Sequence, residues 1–156
     1  MADYRFVTVW RIPAPLEAVW NALYDAKRWP EWWPGLSGAI ELSPGGQNGI
    51  GAARRFVWRG ALPYTLAVDM RLTRAERPKL LESDASGELE GTGRWTLSEA
   101  PGGTAARYDW QVRTTKRWMN WFAPLARPLF SWNHNVVMRR GEAGLTRYLR
   151  GLGADG

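Results

Sequence analysis

PLEAVWNALYD, residues 15–25, is where the period of the chain changes. Leu16, Val19, Trp20 and Leu23 recur at i, i+3, i+4 and i+7, which gathers them on one face of a helix, and Pro15 suits the first helical position. The stretch before it, YRFVTVWRI (4–12), is rich in β-branched and aromatic side chains and reads as a strand. The stretch after it, RWPEWWPGL (28–36), holds Trp29, Trp32 and Trp33 out of 11 tryptophans in the chain. Its prolines allow only a short helical turn or a loop.

Beyond the tryptophans the chain alternates strand-like runs with turn chemistry. The runs are LSGAIELS (36–43), IGAARRFVWR (50–59), PYTLAVDMRLT (63–73), LLESDASG (80–87), ELEGTGRWTLSE (88–99) and ARYDWQVRT (106–114). SPGGQNG, a Gly-containing turn, ERPK and EAPGGT punctuate them. Neighbours this close in sequence pair most economically as antiparallel hairpins, so a meander is expected. The C-terminal third returns to helix: Trp118, Phe122, Leu125, Leu129, Trp132, Val136 and Arg140 follow at steps of three or four and predict one apolar stripe. Pro124 and Pro128 should interrupt its early part, and Gly141 and Gly144 should weaken it, leaving Leu129 to Leu149 as the firmer helix. The result is an α+β domain in which an antiparallel sheet and a long helix cover each other's apolar faces. A curved sheet would leave a groove or cavity beneath that helix. No repeat, low-complexity tract or linker appears. Residues 1–152 read as one domain and 153–156 as a fraying tail.

Composition excludes several chemistries. The 156 residues suffice for a real core, and 45% hydrophobic with 23% charged residues is ordinary for a globular protein. With no Cys, disulfides, thiolate nucleophiles and thiolate metal sites are ruled out. With one His as well, a structural zinc site is not expected. MADYRFVTVW lacks the basic and apolar regions of a signal peptide, and no apolar run reaches the roughly 18 residues of a membrane span, so a cytoplasmic protein without stable membrane insertion is expected. The net charge of +6 comes from scattered pairs such as Arg54-Arg55, Lys116-Arg117 and Arg139-Arg140, which read as a solvated outer face. They do not alternate with aromatics in a base-stacking platform, so nucleic acid is not an expected partner.

Alternation tells which side chains point inward. The inward rows are Ile50, Ala52, Arg54, Phe56 and Trp58; Tyr64, Leu66, Val68, Met70 and Leu72; Leu81, Ser83 and Ala85; Leu89, Gly91, Gly93, Trp95 and Leu97; and Tyr108, Trp110 and Val112. Ser83, Ala85, Gly91 and Gly93 set small residues side by side, which either lets the sheet bend or leaves volume opposite the aromatics; the two are compatible. Arg54 is the one charge in its row. It either reaches the exposed strand end or a carboxylate, or offers its fork of donors to an anionic or enolate oxygen of a ligand.

The acid–base inventory is thin. His134, in WNHNVVM (132–138), is the sole histidine and reads more readily as a structural residue than as a catalyst. Tyr64, Tyr108 and Asn133 could donate to a ligand carbonyl, or equally to protein groups. Glu88 and Glu90 share a strand face but point outward by alternation, as solvated glutamates. GTGRW lies in a strand and fails the context of a dinucleotide fingerprint, and no GxSxG elbow is present.

Taken in order, the strand, APLEAVW, WPEWWPG, LPY, GELEGTGRW, RYDW and WNHNVVM resemble the START-like, or SRPBCC, superfamily, and most of all its polyketide cyclase/dehydrase-type branch. The resemblance covers essentially the whole chain. It implies a helix-grip fold, with a curved antiparallel sheet wrapped around the C-terminal helix over a deep apolar cavity. It also implies a hydrophobic small-molecule partner, lipid-, quinone- or polyketide-like; no cofactor is expected, since no nucleotide or metal signature appears in the sequence. It carries no catalytic residue onto this chain, because none of these motifs is a catalytic one; fold alone does not specify function. In that picture RWPEWWPGL becomes a lid or rim, with Trp29 or Trp32 on the helices and Trp33 toward the ligand.

The candidate ligand-binding residues are therefore Trp33, Arg54, Phe56, Trp58, Tyr64, Trp95, Tyr108, Trp110 and Trp132, with His134, Tyr64 and Tyr108 the candidate catalysts. Three functions compete: binding of a hydrophobic molecule, a cyclase or dehydratase working in the same cavity, and a peripheral membrane or partner-docking module using the basic surface and exposed tryptophans. The oligomeric state is left open.

Overall fold

The backbone groups of each strand need partners on both sides, and one sheet supplies them. The computed structural model describes residues 3–61, 65–115 and 123–155, the side chains of 123–126 and 153–155 excepted. In chain order the elements are β1 (Asp3–Ile12), α1 (Leu16–Tyr24), a 3-10 segment (Ala26–Glu31), β2 (Leu36–Ser43), β3 (Ala53–Arg59), β4 (Thr65–Glu76), β5 (Leu80–Gly87), β6 (Leu89–Ala100), β7 (Gly103–Thr114) and α2 (Ala123–Asp155). Strands β2 to β7 form the expected meander. β1 joins β7 antiparallel, giving the seven-stranded order β1-β7-β6-β5-β4-β3-β2. The two ends of the sheet are thus joined in sequence through α1 and the 3-10 segment.

Parity along the strands holds well. Phe56, Val68, Leu81, Ala85, Trp95, Leu97, Trp110 and Val112 are all buried, and β1 follows the same rule with Tyr4, Trp10 and Ile12 buried. Two local expectations change. Ile50 is 39% exposed, because Gly49 and Gly51, both at positive φ, turn the chain before β3 begins at Ala53. Pro15 is the residue before the helix, extended at ψ 151°, and its carbonyl accepts from the Val19 N–H at 3.1 Å, so α1 starts at Leu16.

The small residues of β6 act at close backbone and ring approaches. Gly91 adopts φ 155°, and a Cβ there would run into the Gln111 carbonyl of β7. A Cβ on Gly93 would collide with the Tyr108 hydroxyl and lie 3.0 Å from Trp110 Cε3. The space freed at Gly93 is therefore occupied by protein aromatics.

The largest departure concerns α2. Of the predicted stripe, Trp118, Phe122 and the Leu125 side chain lie outside the described residues, Leu129 is 52% and Trp132 49% exposed, Arg140 is exposed and Val136 half-buried, while Met138, Gly141, Gly144 and Leu145 are buried. The reason is steric. A Cβ on Gly141 would lie 2.5 Å from Trp33 Cε2 and 2.7 Å from Trp10 Cη2, and one on Gly144 would strike the Trp32 carbonyl. The two glycines predicted to weaken the helix are the seat on which it meets the tryptophans. The helix also runs through Pro128, whose ring removes the donor of one intrahelical hydrogen bond.

Candidate functional site

The inward faces of the sheet and α2 enclose an apolar cavity of about 130 Å³. That is close to the ~150 Å³ apolar cavity that admits benzene and far above the ~10–15 Å³ one water needs. Each wall follows from the parity of its element. β1 contributes Tyr4 and Phe6, β3 Phe56 and Trp58, β4 Leu66, Val68 and Met70, and β6 and β7 Trp95, Tyr108 and Trp110. Trp29 and Trp33 close one side, and Phe130, Asn133, His134, Val137 and Met138 of α2 form the roof.

Within this wall two polar atoms are buried without a hydrogen-bond partner, the Tyr4 hydroxyl and His134 Nε2. The His134 ring stacks on Phe6, centroids 4.2 Å apart. Burial lowers its pKa to about 4, so the imidazole is neutral at pH 7. Burial raises the Tyr4 phenol pKa, opposed by Arg127, whose guanidinium lies 5.0 Å from the ring centroid. Tyr108 packs on Trp95 at 4.4 Å, and burial pushes its pKa well above the usual phenol range. Among the described residues no carboxylate lines the cavity, and no group of three or more His, Cys, Asp or Glu could hold a metal.

The structure brings Trp33, Phe56, Trp58, Trp95, Tyr108, Trp110 and His134 together around this volume. Tyr64 lies outside the described residues. Trp132 is turned away on the outer face of α2, because the glycine seat sets the rotation of the helix. Arg54 lines a separate concavity between α1 and strands β3–β5. Glu88 is not simply solvated: its Oε2 accepts the Ala67 N–H at 2.6 Å. Sequence reasoning missed Tyr4, Phe6 and Phe130. The first two share the inward parity of Trp10 on β1, a signal present but not used; Phe130 was hidden by the wrong phase of α2.

RWPEWWPGL is a hub more than a lid. Trp29 Nε1 donates to the Ala22 and Leu23 carbonyls at 3.2 Å, closing the end of α1. Trp33 Nε1 donates to the Val137 carbonyl at 2.9 Å, tying the segment to α2. Trp32 stacks on Trp33 at 5.3 Å and faces Tyr148 of α2 at 6.5 Å. With exposures of 5% and 3%, Trp32 and Trp33 belong to the core.

A seven-stranded antiparallel sheet curved about a long C-terminal helix, with an apolar cavity between them, defines a helix-grip protein. Residues 4–150 match the family described as "Polyketide cyclase / dehydrase and lipid transport", and the chain belongs to that family. Solved structures of the same fold include a Thermus thermophilus protein, TTHA0849, at 15% identity and TM-score 0.72 over 94% of this chain and 99% of that one. The Zhui aromatase/cyclase of Streptomyces sp. R1128 superimposes at 13% identity and TM-score 0.68, covering 97% and 98% of the two chains. The di-domain ARO/CYC BexL of the BE-7585A biosynthetic pathway does so at 18% identity and TM-score 0.67, over 92% of this chain. The present chain spans 50% of BexL. No curated protein sequence matches the chain significantly. Among the described residues no helix is long and apolar enough to cross a membrane.

Proposed function

We propose that the cavity under α2 binds a compact hydrophobic molecule, a single ring or short alkyl segment in size, that carries an oxygen function. The observation behind this reading is the pair of buried, unpartnered polar atoms, Tyr4 Oη and His134 Nε2, in an otherwise apolar wall. An unsatisfied buried polar group costs about 1–3 kcal/mol, which a ligand oxygen reaching either of them would offset. Binding is favoured over turnover because no carboxylate lines the cavity among the described residues and His134, with a pKa of about 4, is a weak base. The competing reading, a cyclase or dehydratase, draws on the family description and on the aromatase/cyclase neighbours. In it, Tyr4 or Tyr108 would stabilise an enolate and His134 would move the proton.

Tryptophan-fluorescence titration with 4-methylphenol and with toluene tests the binding reading. The phenol should bind about fivefold or more tightly, the worth of one net hydrogen bond. A Tyr4→Phe/His134→Leu double variant should erase that advantage while still binding toluene. Equal affinities in the wild type would reject the reading. Product formation from a polyketide-like substrate, lost in His134→Ala while binding persists, would establish the enzyme instead.

A further inference from the structure

Arg54 is the least exposed of the arginines with an ion-pair partner among the described residues: its side chain is 19% exposed, against 48% for Arg55, the next lowest. It is also among the worst paired. Arg55, Arg94 and Arg107 meet carboxylate oxygens at 2.7, 2.9 and 3.1 Å, whereas Arg54 Nη2 lies 3.8 Å from Glu41 Oε1. Its Nε is fully buried and has no acceptor. A buried guanidinium with a free donor costs stability unless an anion completes its fork. The Glu41 side chain, 58% exposed, gains little by reaching inward.

Arg54 borders a concavity of about 500 Å³ between α1, the 3-10 segment and strands β3–β5, with its Nε buried just behind the wall. Its walls are mainly apolar, with Leu23, Leu72, Leu81 and Trp95 among them, and its charged groups are Asp25, Lys27 and Arg54. Asp25 is drawn to Arg28 at 3.4 Å, and the Tyr24 hydroxyl is already engaged with the Asn48 carbonyl at 2.6 Å. Trp29, Phe56, Met70 and Trp95 line both this concavity and the cavity under α2, so the two adjoin through these side chains.

We infer that the concavity is a second binding site, for an organic anion with an apolar body, a carboxylate or a phosphate monoester, whose charged oxygens take the Arg54 fork. The geometry supplies both halves of that recognition: an apolar chamber of ligand size and, at its edge, a cation whose donor has no acceptor. Arg54 does not line the cavity under α2, and Tyr4 and His134 do not line this concavity, so the two assignments rest on different polar groups.

Isothermal titration calorimetry with 2-naphthoate, 2-naphthyl phosphate and the neutral 2-acetylnaphthalene tests the assignment. At least one anion should bind more tightly than the ketone, and which one does identifies the acid group. Arg54→Met should weaken that anion about 10- to 100-fold, the worth of a charge-assisted hydrogen bond, while leaving the ketone unchanged. Glu41→Gln removes the only carboxylate paired with Arg54 among the described residues and should tighten the anion about twofold. Because Glu41 is exposed, this variant decides the matter even if Arg54→Met does not fold. Anions that bind no better than the ketone, an Arg54→Met variant that binds them as well as wild type, or a Glu41→Gln variant without effect would each overturn the inference.

Discussion

Gly141→Ala adds one methyl group at the place where α2 rests on the tryptophans. On helix propensity alone the change should stabilise by about 1 kcal/mol, since Gly is the poorest helix former after Pro. The structure reverses the sign. The new Cβ would lie 2.5 Å from Trp33 Cε2 and 2.7 Å from Trp10 Cη2, where carbon–carbon contacts normally sit at ~3.5–4.0 Å. Neither ring can yield cheaply. Trp10 and Trp33 are 1% and 3% exposed, Trp10 is wedged between Trp33 at 5.1 Å and Trp95 at 4.8 Å, and Trp33 is held by its hydrogen bond to the Val137 carbonyl. Overpacking of this kind costs about 1–3 kcal/mol, and contact with two rings places it at the upper end. The expected net loss is about 2 kcal/mol, or a fall in Tm of about 4–8 °C for a chain of this length. Gly151→Ala is the control. It lies in the same helix with nothing within 4 Å of its added Cβ, and should stabilise by about 0.5 kcal/mol. Urea unfolding followed by circular dichroism and tryptophan fluorescence measures both. If Gly141→Ala moves in the same direction as Gly151→Ala, the seat does not exist and the account of how α2 chooses its face is wrong.

Two further outcomes are expected. His134 has a folded-state pKa of about 4, below the ordinary 6.5, so the unfolded chain takes up the proton first; its contribution is intact above pH 6.5 and is lost as pH falls toward 4. Denaturation from pH 7 to 4 should therefore show wild type losing on the order of 3 kcal/mol more than His134→Leu, and parallel curves for the two proteins would contradict the burial of a neutral imidazole. Trp132→Ser, on the outer face of α2, should leave 4-methylphenol binding untouched even though it costs about 1–2 kcal/mol of packing from the half of the ring that is covered; a marked loss of affinity would return Trp132 to the cavity.

Much of the candidate site could be read before any coordinates. The inward rows of β3, β4, β6 and β7 came directly from alternation, and Phe56, Trp58, Trp95, Tyr108 and Trp110 do line the cavity. Strand parity is a local property: once one residue is buried, the pleat sends every second neighbour the same way. The same logic applied to β1 would have found Tyr4 and Phe6. Gly93 shows its limit. Its inward position was legible, but whether the space it leaves stays open depended on the Tyr108 ring of the neighbouring strand, which fills it.

The sequence by itself determined the order of the elements, the antiparallel meander, the parity of its strands and the thin acid–base inventory of the interior, because each depends on residues a few positions apart. The tertiary structure decided which face of α2 turns inward, that Trp132 looks outward, that Trp32 and Trp33 are core, and that Arg54 is not among the residues lining the cavity under α2. Those outcomes rest on contacts such as Trp33 to Val137, 104 residues apart. Hydrophobicity ranks the faces of a helix by how much they dislike water. Shape ranks them by how closely they can approach, and at Gly141 and Gly144 shape prevailed.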